Sequence, residues 1–157
     1  MEALIHVPAG AGKAFSVGSD IVTCKLPGGT TADAFFLAEA TVPPQGGVPL
    51  HAHVAQETFY ILGGDFEIRG RAQVIRASAG SIVHIPSNAP HGYTNVGSSP
   101  GRILFLLAPA GEAEQFFAEI GRSVETGTES PHTPDLPTLQ SIMKKYRVTL
   151  GDPSPEP

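Results

Sequence analysis

His51, His53 and Glu57 stand within HAHVAQE, and His91 follows in GSIVHIPSNAPHGYTN. Three imidazoles and one carboxylate form a nitrogen and oxygen donor set. Such a set suits one divalent transition ion (Fe, Ni, Mn, Co, Cu or Zn) and not a thiolate-dependent centre. At these spacings the residues read as a mononuclear metal site on a β scaffold. A centre with three His and one carboxylate leaves one or two coordination positions open. On a redox metal an open position takes dioxygen or a bidentate substrate; on zinc it activates water or polarises a carbonyl. Glu57 has a second use, because a carboxylate that swings off the metal can accept a substrate proton.

Strand geometry must bring these groups together. Side chains alternate faces along a strand, so His51 and His53 project to one side and Ala52 to the other. Glu57 shares a face with Phe59 and Ile61, and it points inward with the histidines if extended parity runs on through Val54, Ala55 and Gln56. His91 must come from a different strand, because a cage needs ligands from more than one direction.

Alternating or β-branched segments that predict strands are Ala14–Val17, Asp20–Leu26, Asp33–Val42, Glu57–Leu62, Asp65–Arg69, Arg71–Ala77, Ser81–Ile85, His91–Val96 and Gly101–Ala108. Gly- or Pro-rich joints separate most of them, and Arg69-Gly70-Arg71 predicts a hairpin turn in which Gly supplies a positive φ. Short strands with regular turn signals predict an all-β sandwich or barrel. The pattern changes after Pro109. GEAEQFFAEIGR predicts a helix with Phe116, Phe117 and Ile120 at helical spacing and acids in its first turn. Residues 123–134 predict a loop. PTLQSIMKKYRV predicts a second helix opened by Pro137, with Leu139, Ile142, Met143 and Tyr146 on one face, and GDPSPEP a frayed tail.

A chain of 157 residues with 41% hydrophobic content is long enough for one domain with a real core. The 18 Gly and 15 Pro fall between short apolar runs, as strand-and-turn punctuation requires. The net charge of −5 carries no Lys/Arg cluster, which argues against a nucleic-acid partner. Cys24 is the single cysteine, so no intramolecular disulfide and no oxidising compartment is implied. The first residues lack a secretory pattern and no apolar run approaches the ~18 residues of a membrane span. The expectation is a cytoplasmic protein with no membrane partner.

Two stretches carry a family resemblance. Gly46, His51, His53, Glu57 and Gly64 fit the first cupin motif, and Gly80, Pro86, His91 and Asn95 fit the second, in the right order and spacing. The chain resembles a small single-domain bacterial cupin. The resemblance implies a cupin-type double-stranded β-helix, a jelly-roll barrel, with His51, His53, Glu57 and His91 as metal ligands. It divides the chain into a barrel domain over residues 1–108, with motifs at 46–64 and 80–95, and a short C-terminal helical extension and tail over 109–157. One position departs: Asn88 stands where the family usually has Gly, and Asn tolerates the left-handed conformation such a turn needs.

Within the family the chain is most similar to the quercetin 2,3-dioxygenase-like group, through QETFYILGG, the ligand set and a C-terminal segment ending in KKYRV. That likeness implies a metal-dependent dioxygenase acting on a small enolisable or phenolic substrate, with Glu57 deprotonating the substrate hydroxyl. Two alternatives remain open. One is a non-redox isomerase, lyase or decarboxylase; the other is a non-catalytic small-molecule-binding cupin. A homodimer is the expected assembly. For the remaining candidates plain roles are expected. Asn95 makes an outer-partner or turn-closing hydrogen bond, His84 packs with Ile82 and Pro86, and His6 and His132 are solvated. Phe59, Ile61, Phe66, Tyr60 and Phe105 are candidates to line a pocket, most of them expected simply as core. The helix around Phe116 and Phe117 is a packing element first and a lid second.

Overall fold

A computed structural model describes residues 3–124 and 130–152. The strands are β1 (Lys13–Val17), β2 (Asp20–Leu26), β3 (Phe36–Val42), β4 (Gly47–Ala52), β5 (Gln56–Gly63), β6 (Asp65–Gly70), β7 (Val74–Ser78), β8 (Ile82–Ile85), β9 (His91–Asn95) and β10 (Gly101–Ala108). Helix α1 (Ala113–Ile120), strand β11 (Arg122–Ser123), helix α2 (Leu136–Lys145) and strand β12 (Thr149–Leu150) follow. Two antiparallel sheets result, in the orders β11-β1-β2-β3-β10-β5-β8 and β12-β4-β9-β6-β7. This is the expected all-β jelly roll with short C-terminal helices.

The pleat builds the core. Every second residue of β10 (Ile103, Phe105, Leu107) and of β5 (Glu57, Phe59, Ile61) is buried. From the facing sheet come Phe66, Ile68 and Tyr93. Tyr93 meets Phe59 and Phe66 edge-on, at 5.6 and 6.0 Å between ring centroids, the T-shaped geometry that aromatic quadrupoles favour. The Tyr93 hydroxyl donates to buried Asp20 at 2.8 Å, so the phenol fills core space without an orphaned polar atom. Tyr60, by contrast, points outward and is exposed.

Several elements differ from the expectation. Gly47–Ala52 forms β4 although its apolar pattern is broken by Pro49. Asp33–Phe35 does not join β3, because Ala32 and Asp33 turn the chain at φ 52° and 64°. The hairpin after β6 turns at residues 71–73 and is closed by Gly70 N–H donating to the Gln73 carbonyl at 2.7 Å; Gly70 itself belongs to β6. His84 faces solvent with Ile82, and its Nδ1 lies 2.9 Å from the Thr58 hydroxyl. Packing on that face is therefore not its role. Asn88 does adopt the left-handed conformation, at φ 63°.

The C-terminal segment returns to the barrel twice. β11 pairs with β1, and β12 pairs with β4 through Thr149↔Ala52 and Leu150↔His51. Between them α2 starts at Asp135, whose carboxylate accepts from Thr138 N–H at 2.9 Å, a charge-assisted N-cap. Ile142 is buried on the apolar face expected for α2. In α1, Phe117 stacks on Phe36 at 5.7 Å and lies 5.8 Å from Phe105. Part of the expected 123–134 loop and most of the tail lie outside the described residues.

Asn95 is fully buried, and its amide closes a turn. Nδ2 donates to the Val42 and Ser99 carbonyls, each at 2.9 Å, and Oδ1 accepts from Gly97 N–H at 2.9 Å. Asn95→Asp replaces that donor with an oxygen facing two carbonyls. The expected result is a loss of about 1–3 kcal/mol of stability by denaturant titration, with metal content unchanged. A loss of metal at unchanged stability would assign Asn95 to the cluster instead.

Candidate metal centre

β4 and β9 run antiparallel, with Gly47↔Thr94 and Val48↔Tyr93 in register, yet the next partners are His51↔His91. One extra residue therefore sits in β4, a bulge at Pro49-Leu50. Proline has no N–H to give the ladder, so a strand interrupted there bulges readily. The bulge places His51 directly across from His91, with ring centroids 4.3 Å apart. It also drives β4 against β9 at Gly92: a Cβ there would lie 2.8 Å from the Val48 carbonyl oxygen and 2.9 Å from the Pro49 carbonyl carbon. Glycine is the residue that fits.

His53 lies just beyond β4, ahead of a bend at residues 54–55. The chain does not stay extended through residues 54–55, so parity from His53 does not orient Glu57. Pairing does: Glu57 sits opposite Leu107 of β10 and Ile85 of β8, which turns it inward. Ala52 points away from the site, as alternation requires, and is buried where β12 covers it.

His51, His53, Glu57 and His91 converge so that one ligand atom from each lies within 4.8 Å of the others. The three imidazoles are held alike. His51 Nδ1 is 2.9 Å from the Pro49 carbonyl, His53 Nδ1 2.9 Å from that of Ala55, and His91 Nδ1 2.8 Å from that of Ala89. A carbonyl only accepts, so each Nδ1 carries the proton and each Nε2 presents a lone pair. Two of those lone pairs face the same anion: Glu57 Oε2 lies 3.1 Å from His53 Nε2 and 2.8 Å from His91 Nε2. Acceptors at such distances need a proton or a cation between them. Ligands held about 2.0–2.2 Å from one ion lie roughly 3–4 Å apart, close to the 2.8 and 3.1 Å separations from Glu57 and the 4.8 Å limit over the set. The donor set fits a divalent transition ion.

The electrostatics agree. Burial, followed by the His91 charge, pushes His51 down to about 4, so it is neutral and available as a ligand at pH 7. Burial also opposes ionisation of Glu57, yet hydrogen bonds that it accepts when His53 and His91 carry a proton on Nε2 outweigh it and hold the carboxyl down at about 2, that proton standing where the ion would. For His53 burial is the largest single influence and lowers its pKa, but the bond and charge of Glu57 together raise it.

All four expected site residues meet. His84, His6 and His132 lie elsewhere: His6 is exposed and His132 forms a backbone bridge with Gly18. Sequence reasoning did not identify the carbonyls of Pro49, Ala55 and Ala89 that orient the rings, or Gly92 that admits the bulge. Carbonyls carry no residue-type signal, but Pro49 between two small-loop segments was a readable sign of an irregular strand. Two clefts, one around Asp33 and Gly111 and one beneath residues 5–10, do not border the cluster.

Comparison with known proteins covers the same part of the chain. A profile of the cupin domain matches residues 38–107, the span that contains all four cluster residues. The barrel and this match support a cupin domain over residues 38–107. An uncharacterized protein of Methanocaldococcus jannaschii is 35% identical over 74 residues, which cover 46% of this chain and 59% of that one; the chain thus spans less than two thirds of this relative's length. Among solved structures, a predicted oxalate decarboxylase from Thermotoga maritima superposes with a TM-score of 0.64 at 18% identity, over 67% of this chain and 99% of the other. The polyketide cyclase RemF from Streptomyces resistomycificus gives a TM-score of 0.61 at 20% identity, over 89% and 99%. At these identities the likeness is one of fold.

Gly92→Ala tests the support of the site without touching a ligand. The methyl displaces the Pro49 carbonyl that orients His51, so metal affinity measured by competition with a chelator should fall roughly 10–100-fold, the usual effect of losing an outer partner of a ligand. Unchanged affinity in a folded variant would show that the bulge does not orient His51.

Proposed function

We propose that the chain is a metal-dependent dioxygenase resembling the quercetin 2,3-dioxygenase group, acting on a small enolisable or phenolic substrate. The reading is supported above all by one observation: three Nε2 lone pairs and an ionised carboxylate converge with every Nδ1 already committed. His51, His53, His91 and Glu57 would hold the ion. When bound, the ion supplies Lewis acidity toward a substrate oxyanion and, if it is redox-active, reactivity toward dioxygen.

The residues of the chain have distinct tasks. The carbonyls of Pro49, Ala55 and Ala89 keep the imidazoles in one tautomer. Glu57 is held ionised while both histidines bond to it, which also makes it a weak base. A Glu57 oxygen that swings off the ion would be free to accept the proton of a substrate hydroxyl. Phe59, with its ring centroid 6.2 Å from that of His91, and Leu107 opposite Glu57 keep the inner side of the cluster apolar. Apolar walls strengthen the electrostatics of proton transfer. The lone, buried Cys24 fits a cytoplasmic setting within this reading, since nothing about it calls for an oxidising one.

A second reading draws on the fold neighbours, one described as a predicted oxalate decarboxylase and one as a polyketide cyclase. The same four groups would then stabilise an enolate without oxygen, in an isomerase, lyase or decarboxylase.

Metal analysis by plasma mass spectrometry should find near one equivalent in the native chain and far less in His51→Ala and His91→Ala. Protein loaded with Fe, Ni, Mn or Co should then consume O2 with a flavonol, catechol or β-diketone. No uptake with any of them would overturn the dioxygenase reading, and anaerobic turnover with a redox-inert ion would favour the second. Glu57→Gln should lower kcat by about 10²–10⁴-fold if the carboxylate moves the proton; an unchanged kcat in metal-loaded variant would remove that role.

A further inference from the structure

The strand that carries His51 is thinly held on the β9 side. After the bulge, His51↔His91 is the last register pair between β4 and β9, because β9 begins at His91. Ala52, which joins His51 to His53, has its register partner on the other side, at Thr149 of β12. His53 has a separate hold, since Asn88 N–H donates to its carbonyl at 2.8 Å. His51 and Ala52 are therefore the part of the cluster's backbone that leans on the C-terminal strand.

Residues 146–152 are shaped to reach this place. Helix α2 ends in a Schellman-type turn, with Val148 N–H donating to the Met143 carbonyl at 2.9 Å and Arg147 left-handed at φ 57°. A left-handed arginine needs support from both sides. Before it, the Tyr146 hydroxyl donates to Glu119 of α1 at 2.7 Å. After it, Gly151 N–H donates to the Leu50 carbonyl at 2.7 Å, and Arg71 Nε donates to Asp152 Oδ1 at 3.1 Å. The two bulge carbonyls are thus both engaged, that of Pro49 by the His51 ring and that of Leu50 by Gly151. Arg71 follows Gly70, the register partner of His91, so its pair with Asp152 spans the ends of β4 and β9 beside the cluster. Yet the contact is small. Thr149 and Leu150 are exposed, and a part-exposed ion pair adds little stability. A short edge with little apolar burial opens at low cost while the barrel stays folded.

We propose that residues 149–152 form a clip whose closure on β4 sets how tightly the cluster retains its ion. The inference rests on reading the four residues as a metal site. With the clip closed, the bulge and the backbone of His51 are fixed, and its Nε2 stays aimed at the shared point. With the clip open, β4 becomes an edge strand beyond its bulge, and only His53, Glu57 and His91 stay converged. The coupling is reciprocal, so a filled site also slows opening of the clip.

The test loads the full chain with Co²⁺, whose visible absorption reports its ligands, and follows release into excess EDTA. Native protein is compared with Gly151→Pro, which has no N–H for Leu50 and cannot adopt the φ of 81° found there, and with the milder Arg71→Ala. Release should be at least about tenfold faster in Gly151→Pro, as expected when a ligand loses outer support, and faster to a lesser degree in Arg71→Ala. Circular dichroism should be unchanged. In the metal-free chain, hydrogen exchange at the amides of residues 50–53 should rise in Gly151→Pro while that of β5 and β10 does not. Release at the native rate in both variants, or exchange that rises across the whole barrel, would overturn the clip and leave the metal reading intact. A native chain that takes up no Co²⁺ would overturn both.

Discussion

An imidazole offers its Nε2 lone pair to a fixed point only when its ring cannot turn and its proton cannot move to that nitrogen. In this barrel a carbonyl two residues away meets both conditions at each of the three histidines. The rest of the site follows from that constraint. The carbonyl must itself be fixed, so it is placed in a bulge at Pro49, in the bend at Ala55 or in the turn at Ala89, where backbone carbonyls are free of the sheet ladder. Irregular backbone around the cluster thus serves the regular chemistry inside it.

The second constraint is parity. Glu57 comes from one sheet and the histidines from around the other, and they meet because the inward positions of β5 and β10 are in register in one sheet and those of β6 and β9 in the other. Shifting β5 by one residue would send Glu57 to solvent together with Phe59 and Ile61. The carboxylate is therefore locked by the same pairing that buries the aromatic core, and site and core stand or fall together.

Much of this was legible in the residues. HxH, the Glu four positions on, and a distant His after a turn named the cluster, and the Gly/Pro joints located most strands. The failures share a cause. β4 escaped because Pro49 breaks its pattern, and the orientation of Glu57 was assigned to local parity although cross-strand partners decide it. The Asp33 turn was hidden because Ala32 and Asp33 adopt left-handed φ with no glycine to announce it. His84 and Tyr60 were read as inward because alternation gives two faces and local pattern does not say which one is inside. Long-range pairing holds what short-range reading lacks.

β12 supplies the outer neighbour of β4, and β11 that of β1, yet each lies about a hundred residues downstream of the strand it covers. During synthesis at roughly 5–20 residues per second, the histidine-bearing β4 leaves the ribosome several seconds before its covering strand exists. For that interval the nascent barrel shows a bare edge beside its candidate metal cluster, and only the making of residues 149–150 seals it.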